Sequence, residues 1–191
     1  MSSRRFVIIA FVLLVSLVSA AQDSKSRDFK IDNDFVQKQF GSSCKLIESE
    51  QPMVADMNGD GVDDLVLAAR CTNPMPDQSE HEFTVLDPYY TFYGYGNPKI
   101  TTGFVADTPE TKGIVVLVIH GQGTETWHNP KEKFVLVNLS FKDISVKKMM
   151  LKKKKIMAIY TEETDSNQTV AAIFWDGKKY RYEPMGSSLT E

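Results

Sequence analysis

Val54-Ala55-Asp56-Met57-Asn58-Gly59-Asp60-Gly61-Val62-Asp63-Asp64-Leu65-Val66-Leu67 is the stretch on which the reading of this chain turns. Side chains carrying oxygen fall at the first, third, fifth and ninth positions of a tight loop: Asp56, Asn58, Asp60 and Asp64. Gly59 and Gly61 stand between them. Glycine tolerates positive φ, which lets so short a loop coil and bring its oxygens together. Three crowded carboxylates repel one another without a cation, so the pattern predicts an ion. Calcium accepts about six to eight hard oxygens in a loose geometry, and the Val62 carbonyl at the seventh position is a further donor of the kind that calcium loops use. The apolar Leu65-Val66-Leu67 directly after the loop predicts a strand.

An EF-hand places a bidentate Glu at the twelfth position and a helix on either side. Here the twelfth residue is Leu67 and the flank is strand-like. With its last carboxylate at the ninth position ahead of a hydrophobic strand, the stretch over residues 54–67 resembles the FG-GAP (VCBS-type) calcium-binding repeat of integrin α-like β-propellers, in a single copy. That resemblance implies a calcium ion held between two adjacent strands by Asp56, Asn58, Asp60, Val62 and Asp64. It does not extend to a complete ring. Propellers have about four to eight blades of on the order of 40–60 residues each, and no second copy of the loop occurs; Asp32-Asn33-Asp34 and Asp165-Ser166-Asn167 lack the glycines.

Outward from the loop the texture is β. Ile114 to Ile119 is an unbroken apolar run, the mark of a central strand buried on both faces. Lys133 to Phe141, Lys155 to Thr161 and Thr169 to Trp175 predict further strands. Asp176-Gly177, between Thr169–Trp175 and Lys178–Tyr182, predicts a hairpin closed by a two-residue type I′ turn. On the N-terminal side, Asp32-Asn33-Asp34 ahead of Phe35, Val36 and Phe40 predicts a capped helix ending at Gly41. The expected fold is mainly β: an antiparallel meander, small sandwich or partial propeller-like sheet, with one short N-terminal helix.

Arg4-Arg5, the apolar Phe6–Val18 and the small Ser19-Ala20-Ala21 have the order of a secretory signal peptide. The apolar run is shorter than the roughly 20 residues needed to cross a bilayer. The expected organisation is a signal peptide over 1–21, a flexible mature N-terminus over 22–31, and a single β-rich domain over 32–191, secreted or periplasmic, with no stable membrane span after cleavage. Export to an oxidising compartment allows Cys44 and Cys71 to pair, closing a loop of about 27 residues for ~3 kcal/mol. It also makes calcium available to a weak site.

The 191 residues carry 22 Lys+Arg against 25 Asp+Glu, a net charge of −3 that becomes about −5 once Arg4 and Arg5 are removed. No global basic surface exists for nucleic acid. One lysine cluster does: Lys147, Lys148 and Lys152 to Lys155 read either as a cationic patch or as a solvated hairpin whose lysines guard a strand edge. The aromatic run Tyr89, Tyr90, Phe92, Tyr93, Tyr95 fits a sugar- or protein-binding patch, or else simple alternation along a half-buried strand. His120 and His128 bracket a polar loop with Glu125, the place where a hydrolase or metal-assisted enzyme would be built. Against it, no Gly-x-Ser-x-Gly elbow and no His-Glu-x-x-His spacing occurs. The expectation is therefore a non-enzymatic calcium-binding module with a protein or carbohydrate ligand. The alternative is a secreted hydrolase working at the His120–His128 loop.

Overall fold

The computed structural model describes residues 30–94, 112–123, 127, 130–139, 141–163 and 169–187. The fold is mainly β and is built as two sheets. Helix α1 (Asn33–Phe40) comes first, and Asp32 caps it by accepting a hydrogen bond from the Phe35 amide at 3.0 Å. It ends at Gly41, whose φ of 86° suits glycine. Strands β1 (Cys44–Leu46), β2 (Met53–Ala55), β3 (Asp64–Cys71), β4 (Thr84–Leu86), β5 (Ile114–His120) and β6 (Glu132–Leu136) form the first sheet. Its order is β1-β3-β5-β6-β4, and β2 shares with β1 the edge of β3 that β5 does not occupy. Strands β7 (Phe141–Leu151), β8 (Lys154–Glu163), β9 (Thr169–Trp175) and β10 (Tyr180–Ser187) form the second sheet as a plain antiparallel meander.

The first sheet is a middle layer. Every residue of β5 is buried, and so are the first six of β3. Alternate side chains of these strands serve two cores. Val66, Ala68, Val116, Val118, Phe134 and Leu136 pack against Ile144, Ile159, Ile173 and Tyr180 of the second sheet. Leu65, Leu67, Val115, Leu117 and Val135 pack on the opposite face against Phe35, Val36 and Phe40 of α1. This is why the apolar run of β5 has no polar interruption: neither of its faces meets water. A disulfide joins Cys44 to Cys71, directly opposite each other on β1 and β3, and ties the strand that follows α1 to its neighbour in the sheet.

Four sequence expectations need correction. The aromatic run is helical from Tyr89 to Phe92, while Tyr95 lies outside the described residues: α2 (Pro88–Phe92) starts at Asp87, which accepts from the Tyr90 amide at 2.8 Å, with Pro88 in the first turn where its missing N–H costs nothing. Tyr89 packs edge-on to Tyr182 of β10 at 5.2 Å, while Phe92 and Tyr93 stay about half exposed. Second, β4 and β6 pair in parallel, so the first sheet is not a pure antiparallel meander. Third, the run from Lys133 to Phe141 is two strands in different sheets. The break comes at Asn138, which has a φ of 59° and hydrogen-bonds through its side-chain amide to Asp87.

Fourth, the tight turn is not where Asp-Gly predicted it. Four residues, Asp176 to Lys179, separate β9 from β10, because the Asp176 carboxylate accepts from the amides of Lys178 and Lys179, both at 2.9 Å, and holds a wider turn. The two-residue turn instead joins β7 to β8, at Lys152 (φ 45°) and Lys153 (φ 72°). The run of Lys142 to Leu151 ahead of it is thus an edge strand, and its lysines lie on and beside that edge. Lysine carries a strain of about 1 kcal/mol at such angles. Replacing Lys152 with Asn and Lys153 with Gly is expected to raise the unfolding free energy by about 1 kcal/mol, measured by urea titration. No gain would mean that the turn is set by pairing of the long strands rather than by its own residues.

Candidate metal centre

The loop of residues 56–63 connects β2 to β3, and its ends are paired directly, Ala55 opposite Asp64. Within it the oxygen-bearing side chains fold back onto the loop's own amides. Asp56 accepts from Gly59 (2.8 Å) and Asp60 (3.1 Å) through one oxygen, and from Gly61 (2.9 Å) through the other. The Asn58 side-chain oxygen accepts from the Asp60 amide at 2.9 Å, and Asp60 accepts from Val62 at 2.9 Å. The Asn58 side-chain amide also donates to Asp60 at 3.0 Å. Gly59 (φ 77°) and Gly61 (φ 85°) supply the turns that make this coil possible, with open space around each.

The five sequence-predicted residues do not form one uniform set. Asp56, Asn58, Asp60 and the Val62 backbone belong to the outer coil; Asp60 is exposed there and reaches Lys131 at 3.5 Å. Partial burial pushes the Asp60 carboxyl up, but the Val62 amide, Asn58 and Lys131 together hold it below the usual carboxylate range. Asp63 points to solvent. Asp64 is different: it is wholly buried and accepts from the amides of Met57 (2.8 Å), Asn58 (3.3 Å) and Gly121 (2.8 Å). It therefore ties the start of the loop to the end of β5. Met57, also buried, pushes its side chain into the core between the sheets. A carboxylate offers about four lone-pair positions, so an oxygen that accepts one amide still has one for a cation. By that count Asp56 and Asp64, with three amides each, keep one position apiece, and Asp60, which takes the Val62 amide and the Asn58 side chain, keeps two. Among the described residues no three His, Cys, Asp or Glu side chains cluster as a ready metal site; the outer coil carries two carboxylates and one side-chain amide oxygen.

Behind Asp64 lies a polar group in the core that sequence reading did not connect. His120, fully buried, hydrogen-bonds Tyr180 through Nε2 at 2.8 Å, and its Nδ1 lies 3.5 Å from Glu132. Its ring packs against Phe134, Trp175 and Tyr180. Burial lowers the His120 pKa, while the Glu132 carboxylate pulls it back up; burial also pushes the Tyr180 phenol well up, aided by the charges of Asp64 and Glu132. His120 is thus a packed residue bridging the two sheets. Its predicted companion His128, with Glu125, lies outside the described residues. Tyr180 is 60 positions away in the chain; only the register of the strands brings it in.

No family model matches this chain, and no curated protein or solved structure matches it. Among the described residues no helix is long and apolar enough to cross a membrane.

Burial is the strongest influence on Asp64 and raises its pKa from 3.8 to about 6, against the opposing pull of its three amides. A folded-state value above the unfolded one means that folding binds a proton. The associated stability is fully present below pH 4 and is lost as the pH rises through 6. In calcium-free protein a carbon-detected NMR titration of the Asp64 carboxyl should have its midpoint near pH 6; a midpoint near 4 would show that the amides outweigh burial. Asp64→Ala leaves three amide donors without their acceptor and is expected to lower stability by about 3 kcal/mol or more, with calcium or without it.

Proposed function

We propose that this chain is an exported calcium-binding β-module of FG-GAP/VCBS type, serving as a binding or structural unit rather than as a catalyst. Calcium is held in the β2–β3 loop by Asp56, Asn58, Asp60 and the Val62 carbonyl, with Asp64 contributing from behind while it anchors the loop. The observation that supports this reading is the coil itself: two positive-φ glycines and five side-chain-to-amide hydrogen bonds hold the oxygens of residues 56, 58 and 60 within one short loop. Lys131 already offsets part of that charge, so the expected affinity is weak to moderate, suited to calcium levels outside the cell. The Cys44–Cys71 disulfide supports an oxidising compartment and thus export.

The ion's task here is mechanical. It neutralises the loop carboxylates and stiffens the β2–β3 hairpin, which is part of the first sheet and touches β7 of the second, so its removal lowers stability. The alternative, a hydrolase at the His120–His128 loop, draws little from His120: its ring is buried, Nε2 is taken up by Tyr180, and Nδ1 lies inside the protein 3.5 Å from the Glu132 carboxylate.

Calorimetric titration with calcium, together with melting in calcium and in chelator, tests the proposal. Wild type is expected to release or absorb heat at about one ion per chain and to melt several degrees higher with calcium, a shift of about 4 °C corresponding to roughly 1 kcal/mol. Asp56→Ala with Asp60→Ala should abolish both effects. Identical melting of wild type in calcium and chelator overturns the reading.

A further inference from the structure

Beside the calcium loop, at the mouth between the two sheets, is a cavity of about 240 Å³. One wall is the loop itself, with Asp56 and Asn58. The facing wall is Lys148 and Lys155 on β7 and β8, and the lining also includes Met157 and Trp175. Register explains why the two ammonium groups meet there. Lys148 is paired with Met157, and Lys155 precedes Met157 by two residues on the same strand, so all three side chains share one face of the second sheet. Met157 packs against the core between the sheets, which makes that face the inner one. Both lysines are exposed, and among the described residues neither is in an ion pair.

Resting on the calcium-module reading above, we infer that this cavity binds one anionic sugar residue, a hexuronate unit of an acidic polysaccharide. Three chemical demands meet here. The lysines call for an anion, and the carbonyl and carboxylate oxygens of Asn58 and Asp56 call for hydroxyl donors, or for oxygens that share the calcium. Trp175 and Met157 offer an apolar wall for the C–H face of a ring. Inorganic phosphate has no apolar face to set against Trp175 and Met157, and an acidic peptide side chain has neither a ring nor hydroxyls. The volume is below the range of drug-sized pockets, about 300–1,000 Å³, and suits a single ring with its chain continuing into solvent.

Calorimetry in calcium with trigalacturonate, a neutral galactose trisaccharide and inorganic phosphate as separate probes tests this on the full exported chain. Trigalacturonate is expected to bind, and Lys148→Gln with Lys155→Gln to weaken it by tenfold or more while melting and calcium heat stay as in wild type; about tenfold is the loss of one charge-assisted hydrogen bond. If calcium binds but trigalacturonate does not, or if the double variant binds it equally, the sugar site is overturned and the calcium site stands. Neutral trisaccharide or phosphate binding as tightly as trigalacturonate overturns the assignment to uronate. Trigalacturonate binding in chelator that the double variant loses upholds the sugar site and overturns any sharing of the calcium with the sugar. Absence of heat from calcium and from sugar alike overturns both.

Discussion

The buried carboxylate of Asp64 is the constraint on which the rest of the candidate site depends. It sits at the first position of β3, inside the protein, and takes hydrogen bonds from Met57 and Asn58 on its own hairpin and from Gly121 beyond β5. A charged group so placed is costly unless its hydrogen bonds are made. Here it orders three backbone segments at once. The loop of residues 56–63 leaves this anchor as a coil in which each side-chain oxygen is pointed by an amide.

The position of that anchor also links the loop to the core. Next to Gly121 is His120, and His120 reaches across to Tyr180 of the second sheet. Met57 and Trp175 belong to the same packing. The contacts run without a break from the solvent-facing coil, through Asp64, to the interior polar pair and the second sheet. Charge at the loop therefore bears on how the sheets hold together, which is the physical basis for giving calcium a stabilising role. The same geometry sets the β7–β8 lysines opposite the acidic loop. Charges of opposite sign face each other across a small cavity floored by apolar groups.

Much of this was legible in the sequence because its cause was local. The Asp56–Asp64 spacing and its two glycines describe a coiled loop followed by a strand, and the structure has one. The unbroken Ile114–Ile119 run describes a strand covered on both faces, and α1 and the second sheet cover it. Asp32 as cap and Gly41 as terminator describe α1. The reading failed where two local preferences competed. Asp176 can start a type I′ pair with Gly177 or accept amides from Lys178 and Lys179, and it does the second. The Tyr89–Phe92 segment alternates plausibly as a strand, yet Asp87 and Pro88 are a helix start.

By itself the sequence determined the β class, the place of the loop, the oxygen-bearing side chains along it and the two cysteines able to pair, since each follows from spacing along the chain or from the chemistry of a side chain. The tertiary structure alone decided that Asp64 turns inward as an anchor while Asp56, Asn58 and Asp60 stay in the outer coil. It alone brought Lys131, Tyr180 and the pair Lys148 and Lys155 to the site from distant parts of the chain. The reason is strand register: pairing fixes which residues stand opposite one another, and a shift of one position would send each side chain to the other face.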